Sequence, residues 1–564
     1  MRAVPFLPAL ALGVFALGAR PAPESPLRTL VERYSSDQAA LHRRYDAPYS
    51  VEGRDRLREF FQDWRARLDS VDYGVLDLEG RIDWQLLRNQ VRFELALLDR
   101  EERLWNEMVP VAPFAGRLIV FQEARRRLDP INPREAAQVI DHLAGQVDSI
   151  RKALEAPGAK APTLIVAHRT VQTLTDVRRT LGGWYRFSAG YDPLFSWWVA
   201  APYRRLETAL NAYLKHLREK VLGIREGQDP PIVADPIGAA GLQADLIHEM
   251  IPYTPAELIE IAEREFAWCE REMLRAARDM GFGDDWRAAL EKVKNLHEEP
   301  GDQPGLIRML AEEAATFVES RGLVTVPPLA GEIWRMEMLS PEQQKVSPFF
   351  LGGEVIRVSF PTDSMAHEDK LMSMRGNNRH FSRATVHHEL IPGHHLQGFM
   401  TSRYNSHRRE FGTPFWTEGW ALYWEMLLWD LGFPQTPEDR VGMLFWRSHR
   451  AARIIFSLRV HLGTMTPQEA IDFLVDRVGH ERANAEAEVR RSFNGSYPPL
   501  YQAGYMLGGL QLRSLHQTLV AGGRMTDREF HDRILQGGPM PIEMVRARLL
   551  GGELPRDFRP TWRF

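Results

Sequence analysis

Cysteine is nearly absent from this chain. Cys269 is the only one in 564 residues, which excludes an intramolecular disulfide. It also leaves no cysteine behind the N-terminal segment to carry a lipid. Cys269 sits among Trp268, Glu270 and Arg271 in a helical pattern and reads as structural. An excess of charge of one sign is missing too. A formal net charge of −4 gives no strong field for nucleic acid or an anionic membrane. No run of Lys and Arg interleaved with aromatics tracks a phosphate backbone. No serine is flanked by the glycines of a nucleophile elbow, so a serine mechanism has no support. There is no fixed-period repeat and no low-complexity tract. Beyond the N-terminus no stretch is long and apolar enough to span a bilayer.

What is present is the composition of a globular chain, 44% hydrophobic and 26% charged, long enough to bury a large core. Arg2 is followed by an apolar run from Ala3 to Ala19, with Ala16, Gly18, Ala19 and Ala22 near its end. A basic start, a short apolar stretch and small residues predict a secretory signal over residues 1–22, cut between Ala19 and Glu24. Pro5, Pro8 and the shortness of the run count against a spanning helix. The protein is therefore expected to be exported, periplasmic or secreted, with no stable membrane span after cleavage.

Apolar residues recur at three and four from Ser25 to about Leu222, as in Leu57, Phe60, Phe61, Trp64 and Leu68, and in Val139, Ile140, Leu143, Val147 and Ile150. Between Arg225 and Gly241 the composition turns to Gly, Pro and Asp, which predicts a loop and a boundary. The expected division is an N-terminal helical region over 23–235 and a catalytic region over 236–564, or one continuous domain. Helical pattern resumes at Thr254-Pro255, a cap followed by proline at the first helical position, and runs to about Gly322. The segment Gly352–Phe360 alternates and is rich in β-branched residues, which predicts a strand that could line a cleft. From Ser382 onward the pattern is helical again. The fold class expected is mainly α with a small β element.

Four histidines and a glutamate fall within the nine positions from His387 to His395, in a chain with 18 histidines. The usual zinc-hydrolase spacing, His-Glu-x-x-His, is absent. His388 and His394 on an unbroken helix would be separated by about 9 Å of rise and roughly 120°. His388 and His395 would share a face but lie about 10 Å apart. Zinc holds each nitrogen at about 2.1 Å, so a straight helix serves neither pair. Pro392 and Gly393 resolve the conflict: proline breaks the ladder at His388, and glycine permits the dihedrals of the break. A bulge there can bring His394 to its partner, with His395 as the alternative ligand. The rival reading is a solvated histidine run, or a kinked helix without metal.

A hydrolytic zinc site needs a third protein ligand and an open position. Thr413 can cap a helix with Pro414 at its first position, which sets Glu418 in the early turns among Trp416, Trp420, Tyr423 and Trp424. A carboxylate buried there needs a partner, and a metal would be one. Glu425, seven residues on, shares its face and suits the orientation of a ligand histidine.

HELIPGHHLQ followed by TEGWALYWE resembles the bacterial family of domain of unknown function 885, over roughly residues 30–550. That family is similar to the helical zinc peptidases that include thimet oligopeptidase, angiotensin-converting enzyme and the thermostable carboxypeptidases. The resemblance implies a large helical zinc-peptidase-like fold with a substrate cleft. It implies one zinc per chain on His388, His394 and Glu418, with Glu389 as general base. Arg453 to His461 is similar to a family segment ending in Gly-Ile-His, although Arg459 replaces the glycine and Ser457 an aspartate. Tyr501 to Gly508 is similar to a tyrosine-bearing stretch that stabilises an oxyanion. Tyr505, with His461, is thus the expected oxyanion donor and Tyr501 the alternative. Arg453, Arg459 and Arg491 are candidates for binding a substrate carboxylate. The function expected is a zinc metallopeptidase acting on a peptide or small amide. The alternatives are a zinc hydrolase of a non-peptide amide or ester, or an inactive helical binding protein.

Overall fold

A computed structural model describes residues 25–225, 230–344, 347 and 349–564. The expected signal segment lies outside the described residues, as does part of the loop expected at 225–241. The chain is mainly helical. Among the described residues no helix is long and apolar enough to cross a membrane.

The helices start where the sequence caps them. Ser50 accepts a hydrogen bond from the Gly53 amide, and Thr254 and Glu257 cap each other reciprocally ahead of Pro255. Thr413 accepts from the Trp416 amide with Pro414 in the first turn. Each such cap is worth about 1 kcal/mol. The helical period then decides what is buried. Leu57, Phe60, Phe61, Trp64 and Leu68 all face inward, as do Ile140, Leu143 and Val147, while Val139 turns out exposed.

One apolar core joins Phe61, Trp64 and Trp84 from the first hundred residues to Trp416, Trp420, Trp446 and Ile454. A second lies wholly before residue 223, around Ile140, Leu174, Trp184 and Tyr213. Tyr73 ties the N-terminal helices to the C-terminal segment, its hydroxyl donating to the Leu554 carbonyl at 2.8 Å.

The β element is smaller than expected. The strand covers Val355–Val358 only, paired in parallel with Arg335–Met338. That partner strand has four residues, exposed or half-buried throughout, so it carries no alternation to read. The turn before Val355 lies at the cleft, through Phe350, Leu351 and Gly352, and the strand itself does not.

Four helices frame the cleft. The histidine helix Arg379–Glu389 stops and restarts as His394–Thr401. The glutamate helix is Pro414–Asp430, the arginine helix Pro437–His461 and the tyrosine helix Tyr501–His516. The arginine helix is buried from Val441 to Leu458, polar residues included. Such a helix must satisfy those groups internally or present them to a ligand.

The glutamate and tyrosine helices pack along their lengths through glycines. A Cβ on Gly419 would lie 2.6 Å from the Gly508 Cα, and one on Gly504 would lie 2.7 Å from the Pro414 Cβ. Only glycine permits this approach, and it sets Glu418 beside Tyr501 and Tyr505.

Candidate metal centre

The helix break falls where the ligand geometry demands it. The helix ends at Glu389, the Ile391–Pro392 peptide is cis, and the next helix begins at His394. Gly393 packs so closely that a Cβ there would overlap the His388 carbonyl oxygen. The Gly393 amide donates to the His387 carbonyl at 3.0 Å, and the Pro392 carbonyl accepts from the Trp420 indole at 2.9 Å. These contacts hold the His388 and His394 rings 4.8 Å apart, edge to face.

His388, His394 and Glu418 each offer a ligand atom, and these atoms lie within 4.8 Å of one another. Glu418 Oε2 is 3.1 Å from His394 Nε2 and 3.5 Å from His388 Nε2. Tyr501 donates its hydroxyl to the other oxygen of Glu418. His388 Nδ1 donates to Glu425 Oε1 at 2.7 Å, which leaves Nε2 facing the cluster. His395 takes no part, because its Nε2 bonds the Ala330 carbonyl at 2.7 Å.

The electrostatics suit a cation. Burial works against charge on His388, yet Glu418 and Glu425 hold its pKa up at about 9. Burial also opposes charge on Glu418, but His394 and His388 keep its carboxyl well below the usual range. Two imidazoles and a low-pKa carboxylate, with an outer carboxylate on one imidazole, are a donor set that fits zinc.

Glu389 is buried beside this cluster. Burial pushes its carboxyl up, which suits a group that must accept a proton. Gly352 packs against it, so that a Cβ there would overlap Glu389 Oε2. Burial, reinforced by Glu418, pushes the Tyr505 phenol up, so it stays protonated. His388, Glu389, His394, Glu418, Tyr501 and Tyr505 line a cavity of about 620 Å³, within the size of small-ligand sites.

Not every expected residue arrives. His461 is buried edge-on against Phe493 at 5.6 Å and does not line the cavity. It lies eight residues past Arg453 on one helix, about 12 Å along the axis, which is too far to share the site. Burial holds its pKa down at about 4. Arg459 pairs with Glu263 at 3.2 Å, partly exposed. Arg453 and Arg491 do line the cavity, and Arg450 joins them. Arg450 went unread, although it lies one helical turn before Arg453.

A profile of the bacterial proteins of unknown function called DUF885 matches residues 34–549. The chain belongs to DUF885. Among curated proteins none matches it. A solved candidate lipoprotein of unknown function from Shewanella oneidensis is similar at 17% identity and a TM-score of 0.67, over 93% of this chain and 100% of that one. A candidate lipoprotein from Colwellia psychrerythraea is similar at 17% identity and a TM-score of 0.59, over 93% of this chain and 97% of that one. At these identities the likeness is one of fold. The DUF885 match spans both the histidine cluster and the tyrosine helix, so the whole site lies inside the family region.

Proposed function

We propose that this DUF885 chain is a zinc-dependent hydrolase of amide bonds, acting as a peptidase. The observation that carries the reading is the His388, His394 and Glu418 cluster opening on a cavity beside a buried, high-pKa Glu389. One zinc per chain on those three residues would supply Lewis-acid activation of water and of the scissile carbonyl. Glu389 takes a proton from the attacking water at its carboxylate and returns it to the leaving nitrogen. Tyr505 donates its hydroxyl to the carbonyl oxygen as charge builds there. Glu425 fixes the His388 ring, and Tyr501 fixes Glu418. An envelope or exported location is part of the proposal, supported by the lipoprotein descriptions of both structural neighbours.

Metal analysis of the purified protein tests the reading first, with about one zinc per chain expected. Glu389→Gln is expected to keep zinc while turnover falls by about 10² or more. Glu418→Gln is expected to lose zinc, with activity partly restored by excess metal. No bound metal and no gain on adding zinc would overturn the proposal. A Glu389→Gln protein stripped of zinc beside a fully active Glu418→Gln would reverse the two roles.

A further inference from the structure

Three arginines converge on the cavity wall next to the tyrosine helix. Arg450, Arg453 and Arg491 are 5%, 2% and 8% exposed, and all three line the cavity. Their counter-charges are few. Arg453 Nε donates to Glu488 at 2.7 Å, and Arg491 lies 3.9 Å from the same carboxylate. Arg450 is 3.6 Å from Glu425, which is already engaged by His388. Arg491 also donates to the Tyr497 hydroxyl at 3.0 Å. Among the described residues, Arg450 Nε, Arg453 Nη1 and Arg491 Nε are buried with no hydrogen-bond partner.

Each guanidinium carries five N–H donors. Three of them together, buried and so sparsely matched, are costly unless an anion completes them. The flanking histidines add no further cation: burial first, then the arginines, keeps His449 neutral, and burial keeps His480 neutral with a pKa near 3.

We infer that Arg450, Arg453 and Arg491 form a subsite for the free α-carboxylate of a peptide, so that the enzyme cuts near the C-terminus. A planar carboxylate matches the fork of a guanidinium, which a single ammonium does not. The spacing sets the reach. The Tyr505 ring links the two subsites, 6.1 Å from the His388 ring and 4.4 Å from the Arg453 guanidinium carbon. One residue of extended chain covers at most about 3.6 Å. A carboxylate seated on the arginines is therefore no more than about three residues beyond a carbonyl held at the histidine cluster. The cut position rests on the hydrolase reading; the carboxylate subsite does not.

The test separates the two. Calorimetry on the full-length, chelator-treated protein compares acetyl-Ala-Phe, its C-terminal amide and acetyl-Ala-Glu amide. The free acid is expected to bind at least about 10-fold more tightly than either amide, since a site built for a charged group rejects an analogue lacking it. Arg491→Gln should erase that preference, and Arg491→Lys should keep only part of it, which guards against a misfolded Gln variant. Equal binding of acid and amide overturns the subsite. Binding of the glutamyl amide as tight as the acid overturns the terminal assignment, because the arginines then read an acidic side chain. With zinc added, acid-selective binding without hydrolysis leaves the subsite standing and removes the hydrolase reading. Hydrolysis of acid and amide peptides at equal kcat/KM does the reverse.

Discussion

Arg408 and Arg453 are buried alike, at 0% and 2% exposure, yet they are built on opposite terms. Arg408 has a partner for every nitrogen: Asp83 on Nε at 2.6 Å, the Gly537 carbonyl on Nη1 at 2.7 Å and Glu79 on Nη2 at 2.7 Å. His407 bonds the other oxygen of Asp83 at 2.8 Å. Every Arg408 nitrogen is thus answered, and the network joins the helix Leu78–Met108 to the C-terminal half. Arg453 has one carboxylate and an idle Nη1, and it faces a cavity. Burial alone therefore does not tell structural arginine from receptive arginine. Unanswered donors do so only together with a cavity, since Arg447 is also buried with Nε and Nη1 unpartnered and does not line this one.

The largest effect that could break this contrast is at the Arg408 network. Arg408→Met leaves Asp83 buried without its main counter-charge, and a loss of about 3–5 kcal/mol is expected in urea unfolding. A loss below about 1 kcal/mol would mean that full pairing of Arg408 matters little there. Glu425→Gln comes next. It weakens the anchor on His388 Nδ1, and zinc affinity is expected to fall about 10–100-fold in chelator competition. Gly419→Ala forces a methyl against the Gly508 backbone, at an expected cost of about 1–3 kcal/mol in thermal unfolding. Arg491→Gln is expected to shift stability by less than about 1 kcal/mol, because it removes one of several mutually repelling cations. A loss as large as that of Arg408→Met would erase the distinction. Gly183→Ala is the smallest. It lies inside the helix Leu164–Ser188 with open space around it, so a gain of about 0.5–1 kcal/mol is expected.

The convergence of the candidate residues was legible because covalent geometry over-determines it. Two histidines six residues apart cannot share a metal on a straight helix, so Pro392 and Gly393 announced the break. Glu425 was legible from its sevenfold offset on a capped helix. The choice of His394 over His395 was not, since it depends on the Ala330 carbonyl capturing His395 from a distant segment. The hold of Tyr501 on Glu418 was missed for the same reason: it arises from packing between two helices. His461 lies off the cavity lining, which a resemblance could not show because it carries no axial distance. The helical class was readable from period and caps. The strand Arg335–Met338 was not, because four residues with none buried carry no pattern.

The glycine seam between the glutamate and tyrosine helices has a consequence for how the molecule opens. Gly419 and Gly508 touch backbone to backbone, so Glu418, Tyr501 and Tyr505 sit on two rods that cannot separate by a rotamer change. Their amide hydrogens should exchange with deuterium at one slow rate, set by cooperative opening of the pair. The turn holding Gly352 over Glu389 makes one such close contact and no helix-long seam, and its amides should exchange sooner. Catalytic geometry and local opening would then be divided between a slow wall and a fast one.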